Sequence, residues 1–404
     1  MKRWLYLRHF LGAFLLMLVY SLVTSGTTLM ILPVVATFGF PRGAFTAYHI
    51  LLMVPNLLLS PFLGRLLERW GARRMIVVGA VWGALALAGL GFCRTLPQFY
   101  FCFLLGGFAF SPASSYVASV LLNSWFQKNR SFFCAAIMAG TGAGGMLWGV
   151  MVPPLVEKSS YRAGYWFCSL LWLVLMLLCT FLVRGLPREV GAAAYGAPEI
   201  AAAAGEEASA GTAAGNQWSL LWERRFLLLF VANFSLSLIN SFFTHAQPYL
   251  IDHHYSAVQA GYVISLFNVA LVVCKLLLGM YFEHCGLYRG IVLPAAVDFL
   301  ALTLLFLGRE PFLAVAVVLF AVNSSLVAVT PLLSAGLVYN AQEFSAAWGI
   351  LSAVGGLGNS VGAPLWGLVY DTTGSYRAGF VLAAMLLCLW GLLYRTILRR
   401  AGRK

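Results

Sequence analysis

Apolar runs long enough to cross a bilayer, about 20 residues each, fill this chain almost end to end. Twelve are read from the sequence, at approximately 10–36, 44–66, 75–93, 97–122, 132–155, 163–183, 226–250, 257–282, 290–308, 311–338, 344–370 and 376–398. A bilayer interior offers no water to backbone N–H and C=O groups, so a spanning segment must bond them internally or in a closed barrel. The runs are too long for strands and lack strict alternation, which predicts an all-α membrane protein of twelve transmembrane helices. Composition agrees: 10% of residues are charged and 61% hydrophobic, where a soluble domain carries roughly 25% charge. The first run follows a basic start and has the outline of a secretory signal. Its apolar stretch continues through 24–35 with no convincing cleavage site, so it is read as the first helix.

The 26 lysines and arginines set the orientation. With the N-terminus in the cytoplasm, 19 of them fall on that side, among them Lys2, Arg3, Arg69, Arg73, Arg74, Lys128, Arg130, Arg224, Arg225, Arg399 and Arg400. Six fall outside, at Arg42, Arg94, Lys158, Arg162, Arg309 and Arg377, and Lys275 lies within the membrane. This positive-inside bias predicts a multi-pass protein of the cell inner (cytoplasmic) membrane with both termini cytoplasmic. The formal net charge of +13 then reflects topology and lipid contact, and no nucleic-acid partner is expected. The eight cysteines are scattered in or beside the spans without a CxxC pair and read as small apolar fillers.

Two patches recur at one offset. Gly64, Glu68, Gly71 and Arg74 return 215 residues later as Gly279, Glu283, Gly286 and Arg289. The pentapeptide SYRAG at 160–164 returns at 375–379, also 215 residues later. A shared offset predicts two copies of one unit: a six-helix half at 1–190, a flexible cytoplasmic linker at 191–220, and a second six-helix half at 221–404. The linker is Ala- and Gly-rich, has no basic residue at 191–215, and cannot build a core.

In the first patch, GRLLERWGARR at 64–74, glycines let two helices approach, and a carboxylate at a helix end can meet a helix N-terminus or an arginine. This predicts a conformational latch at Gly64, Glu68, Arg69, Gly71, Arg73 and Arg74, repeated at Gly279, Glu283, Gly286 and Arg289. The stretch is similar to the signature loop between helices 2 and 3 of the major facilitator superfamily, with Glu68 in place of that pattern's aspartate. Three further stretches resemble the oxalate/formate antiporter and monocarboxylate porter branch of that superfamily. They are NSWFQKNR at 123–130 with the glycine-rich run Gly140 to Gly149 after it, GAPLWGLVYDTTGSYRAGF at 362–380, and 38–44. The resemblance spans the chain at superfamily level. It implies the major facilitator fold, two pseudo-symmetric six-helix halves, and a secondary transporter working by alternating access.

Two charges sit inside predicted spans, Lys275 in helix 8 and Asp298 in helix 9. An intramembrane ionisable group costs at least ~2.5–3.5 kcal/mol on insertion scales and marks a functional site by default. Lys275 occupies the position where the branch usually places an arginine for the substrate carboxylate. Lysine keeps the charge and loses the bidentate fork. The structural alternative for Lys275 is an ion pair with Asp298. Leu271 stands where monocarboxylate porters tend to carry an aspartate, and helix 11 offers no second cation of the kind oxalate transporters use, which favours a monoanion. The family's architecture implies that helices 1, 4, 7 and 10 line the cavity. Their polar residues Tyr20, Thr24, Ser115, Tyr116, Asn240, Thr244 and Asn323 join Lys275 as candidate substrate contacts. Tyr20 and Thr24 are four apart, as are Asn240 and Thr244, and each pair is expected to share a helix face. His245 and Asp298 are candidates for proton coupling, with a solvated vestibule histidine and a support role as their alternatives.

No HExxH, Walker loop or CxxC framework is present, and the glycine run at 140–149 lies inside a span without the Lys-Ser/Thr of a P-loop. No enzyme activity, catalytic residue, metal or cofactor is expected. Without an ATP-binding motif the energy source would be a gradient. The expectation is therefore a transporter of a small organic anion, preferentially a monocarboxylate, coupled to a proton by symport or to a counter-anion by antiport. Its other partner is membrane lipid, and it would function as a monomer because one chain supplies both halves. The alternatives are an exporter of drug-like or other hydrophobic molecules and a non-transporting membrane sensor.

Overall fold

The computed structural model describes residues 2–126, 130–196, 223–339 and 341–401. They form twelve successive helices: α1 Trp4–Phe38, α2 48–70, α3 72–90, α4 96–125, α5 Arg130–Lys158 and α6 Tyr161–Leu182, then α7 Arg224–Asp252, α8 Ala257–Cys285, α9 Leu287–Leu307, α10 312–338, α11 Ala341–Thr373 and α12 Arg377–Ala401. Nine helices among the described residues are long and apolar enough to cross a membrane; α2, α4 and α11 complete the twelve expected spans. The bulk of the predicted linker, 197–220, lies outside the described residues. Its first residues do not hang free: Tyr195 donates its N–H to the Trp125 carbonyl at 2.8 Å, and the Tyr6 hydroxyl donates to the Ala193 carbonyl at 2.9 Å.

The loops expected between helices 2 and 3 and between helices 8 and 9 shrink to one residue each. Gly71 (φ 75°, ψ 157°) separates α2 from α3, and Gly286 (φ 69°, ψ 151°) separates α8 from α9. Both repeats of the patch thus share a backbone conformation that is essentially open to glycine alone.

Helices α1 and α7 also break at equivalent depths. A π-helical stretch, Leu22–Gly26, and a 3-10 stretch, Thr27–Met30, interrupt α1, while the 3-10 stretch Ser241–His245 interrupts α7. Pro33 and Pro248, 215 residues apart, explain the position. A proline ring clashes with the carbonyl four residues earlier, here Leu29 and Thr244. Hydroxyls add to the effect by bonding nearby carbonyls: Thr28 donates to Ser25 O at 2.7 Å and Ser241 to Leu238 O at 2.6 Å.

Two compact units result. The first joins Met1–Phe40 to Ile50–Ser209. In it α1 packs on α5, with the Trp148 indole donating to Ser21 Oγ at 2.8 Å, and Trp172 reaches the Gly79 carbonyl at 3.0 Å. The second unit joins Pro41–His49 to Ala210–Lys404. There α7 packs on α11 and α12, α8 on α10, and α9 on α10 and α12. Residues 41–49 lead into α2 and include its first two residues, so sequence order assigned them to the first half, yet they cluster with the second unit. Long apolar side chains such as Leu85, Phe181 and Leu392 are more than 60% exposed, as expected of surfaces whose natural solvent is lipid.

Replacing Gly71 or Gly286 with alanine should each cost about 1–3 kcal/mol of stability through backbone strain, read as a lower thermal unfolding midpoint in detergent. Gly279→Ala is the control. It is helical, a Cβ there meets nothing within 4 Å, and the change should be neutral or stabilising by up to about 1 kcal/mol. Equal losses at all three positions would contradict this account.

Candidate functional site

On α8 the lipid-type stripe is Tyr262, Leu266, Val269, Val273, Leu277 and Met280, all exposed. Helical periodicity places Lys275 on the opposite face, in line with Ile264, Asn268, Leu271, Leu278 and Phe282. Of these, Ile264, Asn268, Leu278 and Phe282 are buried, and Lys275 itself is half-buried. The ammonium therefore belongs to the protein side of the helix. It makes no hydrogen bond or ion pair among the described residues. The pairing with Asp298 considered from the sequence is not made, because Arg42–Asp252 is the one ion pair among the described residues. The physical reason is the packing: α8 and α9 both lie against α10, and Asp298 is turned to that helix. Asn323 Nδ2 of α10 donates to Asp298 Oδ2 at 2.6 Å, and both residues are fully buried. Asn323 is thus a partner of Asp298, not a free cavity-lining amide.

Asn240 belongs to a network between helices. It is half-buried, donates to Asn359 Oδ1 of α11 at 2.9 Å, and accepts from the Ser324 hydroxyl of α10. Three helices meet in this network. Thr244 does not share its face, since the 3-10 stretch after Asn240 turns three residues per turn instead of 3.6, and Thr244 is buried. The first unit differs. The π-helical stretch after Tyr20 turns more widely than an α-helix, and half-buried Tyr20 and exposed Thr24 are the two residues of 19–31 that are not buried, as a shared face requires. Ser115 and Tyr116 are half-buried at the end of a second π-helical stretch, Ser111–Tyr116.

His245 is not solvated. It is fully buried, with Nε2 2.8 Å from the Ala363 carbonyl and Nδ1 3.0 Å from the Tyr376 hydroxyl. A carbonyl only accepts, so Nε2 carries the ring proton and Nδ1 of the neutral ring accepts from Tyr376. The Tyr376 oxygen in turn accepts from Arg42 at 3.1 Å.

That arginine centres a cluster the sequence did not single out. The short helix Arg42–Thr46 lies in the second unit, and the Arg42 guanidinium grips Asp252 with two hydrogen bonds, 2.7 and 2.8 Å. Its face lies 3.7 Å from the Tyr370 ring centre. The backbone N–H groups of Arg42 and Gly43 donate to the two oxygens of Asp371 at 2.8 and 2.7 Å. Burial works against the guanidinium charge, but the hydrogen bonds to Asp252 and Tyr376 and the charge of Asp252 outweigh it and hold its pKa raised. The approach is made by two glycines. A Cβ on Gly43 would sit 2.7 Å from the Leu368 nitrogen, and one on Gly367 would sit 2.4 Å from the Gly43 nitrogen. The 41–49 segment is therefore a strap, bonded through its main chain as well as its arginine.

The latch residues lie differently. Glu68, Arg69, Arg73, Arg74, Glu283 and Arg289 are all exposed, and none belongs to an ion pair among the described residues. The close helix approach expected at Gly64 and Gly279 is not found. A Cβ on Gly64 would meet only the Tyr116 hydroxyl at 3.9 Å, and one on Gly279 nothing within 4 Å. Gly71 and Gly286 serve as turns instead.

Removing one partner of a buried pair leaves the other uncompensated and costs roughly 3–5 kcal/mol. Asp252→Asn should approach that range by thermal unfolding, since it leaves the Arg42 guanidinium, 8% exposed, without its counter-ion. Arg42→Ala should cost less, about 1–3 kcal/mol, because the Asp252 side chain it leaves behind is 24% exposed, and Arg42→Lys should recover only part of the loss because it lacks the fork. Arg42→Ala at wild-type stability would show that the strap is not held by this pair.

A profile of the Major Facilitator Superfamily matches residues 10–286 and 226–404. The oxalate:formate antiporter of Oxalobacter formigenes is 22% identical over 100% of this chain and 93% of its own length. Multidrug resistance protein 2 of Bacillus subtilis (strain 168) is 25% identical over 86% of this chain and 84% of its own. Among solved structures, the nucleoside transporter NupG matches 98% of this chain and 99% of its own with a TM-score of 0.73 at 14% identity, a likeness of fold. With the twelve helices, the repeated glycine turns and the family profile in agreement, this chain belongs to the Major Facilitator Superfamily.

Proposed function

We propose that this transporter moves a small organic anion, preferentially a monocarboxylate, across the cytoplasmic membrane by alternating access, driven by proton symport or anion exchange. The observation that carries the reading is Lys275. It is a cation within a membrane span, on the protein face of α8, with no anion beside it among the described residues. A charge in that setting needs a partner, and a carboxylate substrate supplies one. The polar junction of Asn240, Asn359 and Ser324 offers amide and hydroxyl groups for the rest of a small polar molecule. A substrate with two carboxylates would call for a second cation on these helices, and the sequence of α7, α10 and α11 offers none there. The similarity to an oxalate:formate antiporter supports the same substrate class.

In this reading 1–190 and 221–404 are the halves that move, 191–220 tethers them, and both termini face the cytoplasm. The latch residues around Glu68 and Glu283 would engage in the alternate conformation. The similarity to a multidrug resistance protein favours a second reading, export of hydrophobic molecules, in which Lys275 has no contact with cargo.

Uptake of radiolabelled formate, lactate and oxalate into proteoliposomes, with and without a pH gradient, tests the proposal. Flux of a monocarboxylate is expected, and its absence for all three would sink the reading. Lys275→Ala, at unchanged protein abundance, should weaken apparent affinity by about 2–5 kcal/mol, at least ~30-fold. Undiminished carboxylate flux in that variant would remove Lys275 from the site.

A further inference from the structure

We infer that Asp298 of α9 and Asn323 of α10 form a neutral carboxylic acid–amide pair, a proton-binding site one residue away from the polar junction of α7, α10 and α11. Both side chains are 0% exposed. Asn323 Nδ2 donates to Asp298 Oδ2 at 2.6 Å. The remaining oxygen of each group, Asp298 Oδ1 and Asn323 Oδ1, is buried without a hydrogen-bond partner. An ionised carboxylate and an amide oxygen can only accept, so the ionised form leaves two buried acceptors with no donor. Buried polar groups are paired in the great majority of cases. A single proton on Asp298 Oδ1 answers both vacancies, because the carboxyl O–H then donates to Asn323 Oδ1 and closes a ring of two antiparallel hydrogen bonds.

A metal cation is the other way to satisfy two oxygens, and the site does not suit one. Hard cations such as calcium take about six to eight oxygens, whereas two are offered here, and no cluster of three or more Asp, Glu, His or Cys is found among the described residues.

The surroundings supply no charge to stabilise the ionised form. The helices packed on α9 are α10 and α12, with α8 against its first turn. Among the described side chains α10 carries no acid or base. On α12, Arg377, Cys388 and Arg395 are exposed, and Tyr394 is buried beside the Ser334 hydroxyl at 3.3 Å. From α7, Tyr249 donates to the Leu305 carbonyl, two turns along α9 from Asp298. Lys275 on α8 forms no ion pair with it.

The site's place on α10 gives the proton a consequence. Asn323 is followed by Ser324, whose hydroxyl donates to Asn240, itself bonded to Asn359. Losing the proton leaves a carboxylate facing an amide oxygen, which drives Asn323 to turn or α10 to shift. Either movement is delivered to Ser324 and so to the junction. This consequence rests on the proposed function, whereas the proton site itself stands on the geometry of the pair.

Infrared difference spectroscopy on the purified, full-length protein tests the site without any transport measurement. The wild type at neutral pH should show the carbonyl stretch of a protonated carboxyl, sensitive to deuterium exchange, that Asp298→Asn lacks. Asn323→Leu should move that band to higher frequency as its hydrogen bond is lost. Asp298→Asn should also keep a thermal midpoint near that of the wild type, because an amide pair replaces the acid–amide pair. No band at that position in the wild-type-minus-Asp298→Asn spectrum, or a large loss of stability in that variant, would overturn the inference. In proteoliposomes the same variant should lose pH-gradient-driven accumulation of a transported carboxylate, and undiminished accumulation would overturn the coupling role. If the wild type moves no carboxylate, the proposed function fails while the infrared band still decides whether the site binds a proton.

Discussion

Inside a bilayer no water is available to a polar group, and that constraint organises every part of this molecule that is not simply apolar. Backbone groups meet it by remaining helical. Side chains meet it by bonding carbonyls on their own helix or by crossing to a neighbour, as Trp148 does to Ser21 and Trp366 to the Leu238 carbonyl. Polar residues are therefore gathered on helix-to-helix seams, and the outer faces are left to leucine, phenylalanine and valine. Some groups escape this rule, among them His49 Nε2, Asn233 Oδ1, Ser237 Oγ, Gln247 Oε1 and Trp390 Nε1, and three others carry a charge or sit at an acid. Lys275 has no counter-ion, and Asp298 and Asn323 each keep one oxygen without a donor.

Much of the architecture was legible in the sequence because it depends on local pattern. Apolar runs gave the spans, and the 215-residue offset marked Gly71 and Gly286, expected in a latch, which the structure uses as turns of nearly the same φ and ψ. One inference failed because it assumed an unbroken helix. Asn240 and Thr244 part company because Pro248 disturbs the turn holding Thr244. The Arg42 cluster had no such signal. Its partners lie 210, 329 and 334 residues away, and no periodicity connects positions so distant. Arg42 looked like one more charge on the outer side. Lys275 and Asp298 were recognisable as unusual, but which helix stands between them is a matter of tertiary packing.

The two copies of the repeat use the same residues for different ends. Tyr161 bonds the Cys93 carbonyl at 3.2 Å, within its own unit and close to its own helix end. Its counterpart Tyr376 relays between Arg42 and His245. The residues 215 positions before Asp252, Asp371 and His245 are Thr37, Val156 and Met30, none of which could hold an arginine. Among the described residues the duplicated frame thus carries a charged fastening in one copy, and both intramembrane charges sit in that same copy.

The seam between Gly43 and Gly367 bears on how that fastening behaves. Backbone meets backbone there at a distance that leaves no room for a methyl group on either side, and the Arg42 and Gly43 amides reach Asp371 only while the contact is closed. Close-packed joints of this kind do not yield by degrees; they hold one arrangement or another. The strap is accordingly a two-position device. In its seated state the two main-chain amides and the guanidinium fork are all bonded, and withdrawal must break both sets. Its opening should then be abrupt and its dwell times well separated, like a snap fastener and unlike a hinge.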